Sequence, residues 1–165
     1  MQLSKVLDEI RERVGIENLT DSCSGRGCRV DMTDVPRDRI VVDVDLAFKA
    51  HQRTGKHCDR ILFYVDTPEN RLVVVLIELK SGTFKVTDVS QQLQGSVNFV
   101  SSLFPRNLKA TCIPVVFHGK GIHAAQRPRF RGTKVRFRNK ESVIRRNKCG
   151  APKNLANVLS GSGNL

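Results

Sequence analysis

The chain has 165 residues, 39% of them apolar, and a formal net charge of +12, a composition that suits one domain of ordinary size with a buried core. No apolar run reaches the roughly eighteen residues that a membrane-spanning helix needs, and the opening residues MQLSKVLDEIRERV mix acids with bases where a secretory leader would carry an apolar block. Neither a transmembrane helix nor a secretory signal is expected, and a cytoplasmic location is the expectation. The charge is lopsided: residues 1–104 carry 14 Lys/Arg against 15 Asp/Glu, whereas residues 105–165 carry 14 Lys/Arg against a single acid, Glu141. An excess gathered in the last third implies a polyanionic partner, most simply nucleic acid, in preference to a merely solvated face.

Leu3, Val6, Leu7, Ile10 and Val14 recur at helical spacing, so residues 3–14 are predicted to form an amphipathic helix that Gly15 stops. Residues 20–28, TDSCSGRGC, have the composition of a loop. Residues 39–46 alternate, with Ile40, Val42, Val44 and Leu46 on one face and Asp43 and Asp45 on the other, and predict a half-buried strand. A polar loop is expected over 49–57. Residues 58–66 and 71–80 predict two strands joined by Thr67-Pro68-Glu69-Asn70, where proline suits the second position of a type I turn. Val86, Val89, Leu93, Val97, Val100 and Phe104 predict a helix over 87–104, ended by Pro105. Residues 111–118 predict a buried strand and 119–123 a glycine loop. Residues 134–138 and 142–146 predict short basic strands, and 153–159 a last helical turn. The order implies an α/β or α+β sandwich, with α/β preferred: a mixed sheet flanked by helices with a basic hairpin near the C-terminus.

Five cysteines, Cys23, Cys28, Cys58, Cys112 and Cys149, stand at irregular spacing with no export signal, and reduced thiols are the expectation. A zinc site built from Cys23 and Cys28 with His57 or His123 is the alternative, without the C-x2-C spacing typical of such sites.

The hairpin concentrates the chemistry. If Asp66 and Arg71 close it, Asp59 falls opposite Glu78, and directly opposed residues have Cβ atoms about 4.5–5.5 Å apart on one face. Lys80, two residues beyond Glu78, shares that face. The strand leading to them, Leu72-Val73-Val74-Val75-Leu76-Ile77, reads as buried on both sides. Carboxylates at the end of such a strand are costly unless paired or bound to a metal. Two adjacent oxygen donors with room for water and phosphate suit magnesium. A structural ion-pair cluster is the plainer reading, and two acids for one lysine argue against it.

Cys58-Asp59, then Glu78-Leu79-Lys80 at a strand end, then Gln91-Gln92-Leu93-Gln94 in the following helix resemble the PD-(D/E)xK nuclease superfamily. The likeness covers about residues 3–118 and is sharpest over 58–94. Cys58 stands where proline often does, and the glutamine element through Gln92 ends on Ser96 instead of tyrosine. The resemblance implies a restriction-endonuclease-like fold; one domain is expected over residues 1–159, and the composition of SGSGNL predicts a flexible tail, 160–165. It implies that Asp59 and Glu78 bind Mg²⁺, with Mn²⁺ able to substitute, and that Lys80 positions or deprotonates the attacking water. It further implies that Gln92 orients water or substrate and that a first-helix glutamate, Glu9 by its place beside the apolar stripe, joins the catalytic group.

The basic segment RPRFRGTKVRFRNKESVIRRNK interleaves arginines with Phe130 and Phe137, and Lys134, Arg136 and Arg138 share a strand face. Arg129, Arg131, Lys134, Arg136, Arg138, Arg145 and Arg146 are the expected phosphate contacts; charges that guard a sheet edge are the plainer reading. Asp43 and Asp45 read either as metal ligands or as a wet strand face. His118 and His123 read either as phosphate or metal contacts or as exposed loop residues. The expected function is magnesium-dependent hydrolysis of phosphodiester bonds, in DNA before RNA and endonucleolytic before exonucleolytic. A non-catalytic nucleic-acid-binding module of the same fold and an RNA-directed nuclease are the alternatives. A homodimer would cut both strands of a duplex; no interface is legible.

Overall fold

The computed structural model describes residues 2–150 and 154–161. In chain order it has α1 (Leu3–Val14), β1 (Leu19–Thr20), β2 (Arg39–Asp43), α2 (Val44–Ala50), β3 (Arg60–Asp66), β4 (Arg71–Lys80), α3 (Val86–Gly95), α4 (Val97–Ser101), β5 (Ala110–His118), α5 (Arg127–Gly132), β6 (Lys134–Phe137), β7 (Lys140–Val143), β8 (Arg145–Lys148) and α6 (Leu155–Leu159). Six strands form one sheet in the order β1-β2-β3-β4-β5-β8. The pairs from β1 to β4 are antiparallel; β4, β5 and β8 run parallel. The protein is therefore α/β with a six-stranded mixed sheet, and β6 and β7 make a separate basic hairpin. Among the described residues no helix is long and apolar enough to cross a membrane.

Hydrophobic spacing accounts for most of these elements. α1 buries Val6, Leu7, Ile10 and Val14 and ends at Gly15, whose φ of +93° is open to glycine. Asp66 pairs with Arg71 and closes the β3–β4 hairpin. Within its turn the Asn70 amide donates to the Thr67 carbonyl at 3.1 Å, as the Pro68 position requires. β4 is buried along its eight inner residues because sheet neighbours lie on both edges and packed layers on both faces.

The two faces of the sheet are covered differently. Ile40, Val42, Ile61, Phe63, Leu72, Val74, Leu76 and Val116 pack under α1 to α5. Val41, Leu62, Val73, Val75, Ile77 and Phe117 pack under the long 21–38 loop and α6. That loop is tied across the sheet by a disulfide between Cys28 and Cys149, and by the Gly150 amide donating to the Arg29 carbonyl at 3.0 Å. The expectation of reduced thiols is corrected here for that pair, and the zinc alternative loses Cys28. Cys23, Cys58 and Cys112 are free and buried; burial holds the Cys23 and Cys112 thiols up at about 12, so they stay protonated and inert.

Four predicted elements are revised. The strand over 39–46 stops at Asp43, whose carboxylate accepts the Leu46 amide and caps α2; Leu46 is exposed, and part of the expected 49–57 loop is helical. The helix over 87–104 breaks at Gly95, where a Cβ would stand 1.8 Å from the Lys56 carbonyl oxygen. Residues 127–132, left unassigned by the sequence, form α5. The second basic strand divides: β7 completes the hairpin, while β8 joins the main sheet beside β5. Of the expected tail 160–165, residues 162–165 lie outside the described residues.

Candidate active site

The β3–β4 ladder has the predicted register: Arg60 pairs with Ile77 and Asp66 with Arg71. Asp59 thus lies one step beyond the last pair, beside Glu78, with its amide donating to the Ile77 carbonyl at 3.1 Å. Asp59, Glu78 and Lys80 share the helix-covered face at the carboxyl end of β4. Asp59 is 5% exposed, Glu78 1%, and Lys80 is half-buried. Among the described residues Lys80 forms no ion pair, which leaves its ammonium free for a ligand.

The two carboxyl groups differ in environment. Asp59 Oδ2 accepts the Leu79 amide at 2.8 Å and Oδ1 accepts Arg26 Nε at 2.6 Å. Glu78 Oε1 takes only a 3.2 Å share of the same amide, and Oε2 is buried with no donor. Burial drives the Glu78 carboxyl well above its usual range, and the neighbouring Asp59 adds to this while Lys80 opposes it. Burial also works to raise Asp59, but hydrogen bonds with Glu78, the Leu79 amide and Arg26 outweigh it and hold Asp59 below its usual value. Like charges this close cannot both ionise freely, so the pair keeps one proton, on Glu78.

Asp59 and Lys80 border a cleft of about 330 Å³, lined also by Arg26, Asp45, Lys56, His57, Asp88 and Gln92, with Glu78 buried behind Asp59. Gln92 enters it from α3, its Oε1 buried and unpartnered. Asp45, from the first turn of α2, accepts from His57 Nε2 at 2.6 Å. Lys56 reaches across to Gln91 at 2.6 Å and to Asp88 at 3.6 Å. Ser96 and Gly95 hold the Lys56–Asp59 segment in place: Ser96 Oγ accepts the Cys58 amide at 2.9 Å, and the missing Gly95 side chain admits the Lys56 carbonyl. Ser96, where the resemblance would have tyrosine, thus positions Asp59 through the backbone.

Other expected site residues lie elsewhere. Glu9 is half-buried on α1 and does not line the cleft. Asp43 caps α2 and faces Arg60 at 3.8 Å, so of the two alternating aspartates only Asp45 reaches the cleft. His118 is a buried residue at the end of β5, paired in register with Lys80; burial first, then Arg146 and Lys148, keep its imidazole neutral. His123 is exposed and accepts the Ala125 amide.

The basic residues divide by use. Arg129 and Arg131 on α5 and Lys134 and Arg136 on β6 are exposed. Arg138 donates to the Leu108 and Pro105 carbonyls and lies over the rings of Phe104 and Phe137. Arg145 caps the end of α6 through the Val158 and Leu159 carbonyls. Arg146 lies over Phe130 at 5.8 Å. The side chains of the last three also make contacts that hold the fold, which those of Arg129, Arg131, Lys134 and Arg136 do not share among the described residues. Gln126 Oε1 accepts the Val86 amide at 3.3 Å, so the segment leading into α5 sits against the start of α3, the helix that carries Asp88 and Gln92 to the cleft.

Sequence reasoning missed Arg26, Lys56, Asp88 and Gly95, named His57 only for the zinc alternative, and named Ser96 only as a departure from the resemblance. The one local signal was Arg26 between two glycines. Comparison with protein-family models, with curated proteins and with solved structures returns no match.

Proposed function

We propose that this chain is a metal-dependent nuclease of the PD-(D/E)xK type, with a restriction-endonuclease-like fold, acting on DNA. The observation that carries this reading is the acid pair: Asp59 and Glu78 side by side at a strand end, Glu78 Oε2 buried without a donor, and Lys80 unpaired on the same face. Two carboxyl groups buried against each other, one of them obliged to hold a proton, are expensive in a protein that only needs a fold. Such an oxygen pair is what a hard divalent cation takes.

The residues fit Mg²⁺ or Mn²⁺ in a particular way. Among the described residues no group of three or more His, Cys, Asp or Glu side chains converges as a closed cage. Two carboxylates with open space beside them suit magnesium, which keeps several waters and shares its remaining positions with phosphate. Asp59 and Glu78 would hold the ion; when bound, it lowers the pKa of water and offsets charge developing on the phosphate. Glu78 would release its proton to solvent on holding the cation. Lys80 extends its ammonium past Glu78 into the cleft, where it can orient a water or balance the phosphate. Gln92 Oε1 offers a fixed acceptor to a water proton or a sugar hydroxyl. Arg129, Arg131, Lys134 and Arg136 supply exposed charge for the backbone of a long substrate.

A second reading has one observation in its favour. Arg26 already neutralises Asp59 at 2.6 Å, as in a structural ion pair, and a non-catalytic nucleic-acid-binding module would keep that contact permanently. Incubation of the chain with supercoiled plasmid and with RNA, in Mg²⁺ or in EDTA, separates the two. Mg²⁺-dependent nicking of the plasmid supports the nuclease, and cleavage confined to RNA would move the substrate class. Salt-sensitive binding with no cleavage of either would leave the binding module.

A further inference from the structure

Arg26 has no part in the chemistry above, yet it sits on the acid that chemistry needs. Its Nε donates to Asp59 Oδ1 at 2.6 Å, and its Nη2 lies 3.6 Å from Asp45 Oδ2. The Asp59 side chain is 7% exposed and that of Arg26 59%, so the guanidinium caps a buried carboxylate with one edge and faces solvent with the other.

The backbone is arranged for this contact. Arg26 has φ of +51°, a left-handed conformation that arginine rarely adopts. It lies between Gly25 and Gly27 in a turn closed both ways: the Gly25 amide donates to the Cys28 carbonyl at 3.0 Å and the Cys28 amide to the Gly25 carbonyl at 2.8 Å. Cys28 is in turn bonded to Cys149. A tight, anchored turn thus aims one long side chain at Asp59.

Both Asp59 oxygens are engaged, Oδ1 by Arg26 and Oδ2 by the Leu79 amide. A cation that ligates Asp59 must displace a donor or share an oxygen with one. The amide belongs to the central strand and cannot leave; the exposed guanidinium can. Once displaced it needs another anion, and its planar fork matches phosphate.

We propose that Arg26 is an exchangeable counter-ion: it neutralises Asp59 while no divalent cation is bound, yields that carboxylate when one enters, and then binds a phosphate of the substrate. This rests on the reading of Asp59 and Glu78 as metal ligands. Its consequence is reciprocal coupling, since cation and phosphodiester each remove a cost that the other would meet.

Mn²⁺ binding followed by electron paramagnetic resonance tests it, on the full chain alone and with a phosphorothioate-linked duplex. The proteins compared are the wild type, Arg26→Asn and Glu78→Gln; asparagine tolerates the left-handed backbone. Alone, Arg26→Asn should bind Mn²⁺ about tenfold more tightly than the wild type, the scale of one charged hydrogen bond. The duplex should tighten Mn²⁺ binding to the wild type by a similar factor and leave Arg26→Asn nearly unchanged. Equal Mn²⁺ affinity in wild type and Arg26→Asn, with binding lost in Glu78→Gln, would overturn the counter-ion role and leave the metal site standing. Failure of the wild type to bind Mn²⁺, or binding unaffected in Glu78→Gln, would overturn the metal-ligand reading and the proposal with it.

Discussion

Replacing Glu78 by glutamine should stabilise the cation-free protein at neutral pH. Glu78 is 1% exposed, its Oε2 has no donor, and burial followed by the neighbouring Asp59 lifts its carboxyl above the ordinary value of 4.5. The folded chain therefore holds a proton on Glu78 that the unfolded chain releases once the pH passes 4.5. Stability falls as pH rises through that window by about 1.4 kcal/mol per unit, until the folded-state value is reached. By pH 7 the loss amounts to about 3 kcal/mol. Asp59 acts in the opposite sense and lower down. Its folded value lies below 3.8, so its contribution is present above that pH and is lost as pH falls through the folded value. Glutamine keeps the shape of Glu78 and does not titrate. Urea unfolding in EDTA should show Glu78→Gln about 3 kcal/mol more stable than the wild type at pH 7 and nearly equal to it near pH 4.5. Saturating Mg²⁺ should stabilise the wild type and not the variant. Parallel stability curves for the two proteins between pH 5 and 8 would refute the description of Glu78 as a buried, proton-holding acid.

Gly95→Ala would set a methyl group 1.8 Å from the Lys56 carbonyl oxygen, where backbone must move, so a loss of about 3 kcal/mol and a lowered Tm are expected; an unchanged melting curve would contradict this. Cys149→Ser opens a link that spans a sequence separation of 121 residues, and loop-closure entropy puts the loss of stability at up to about 5 kcal/mol in urea titrations. Arg131→Ala, at an exposed position, should lower the salt dependence of DNA binding by about one unit of slope without affecting stability. Arg138→Ala should do the reverse, because it loses the Leu108 and Pro105 carbonyls and two aromatic rings; filter binding over a salt series with parallel thermal melts distinguishes them.

What could be read from the sequence was set by short-range geometry. A four-residue turn with proline second fixes the hairpin register, and that register alone carries Asp59 to Glu78. The strand over 39–46 was overextended because Val44 and Leu46 continue the alternation while Asp43 turns the chain into a helix; over so few residues a period of 2 and a period of 3.6 look alike. The close approach at Gly95 involves a carbonyl from 39 residues upstream, which no local pattern reports. Arg26 meets Asp59 from 33 residues away, and Cys28 meets Cys149 from 121 away; neither contact has a spacing signature. The place of Glu9 on a helical wheel orients it within its helix and says nothing of where that helix lies against the sheet. The basic tail gave a count without a use: Arg138, Arg145 and Arg146 serve backbone carbonyls and aromatic rings, and only a fold separates them from Arg129, Arg131, Lys134 and Arg136.

Asp59, Glu78 and Lys80 are proposed to form a phosphodiester-cleaving site. The most direct test of such a site is the rate of Mg²⁺-dependent cleavage of supercoiled plasmid by the wild type and by Lys80→Ala, a half-buried position whose loss should leave the fold intact. The wild type should nick or linearise the plasmid in Mg²⁺ and not in EDTA. The variant's rate should fall at least about a hundredfold, with DNA binding retained. Equal cleavage by both proteins, or none by either with binding intact, would contradict the assignment of this site.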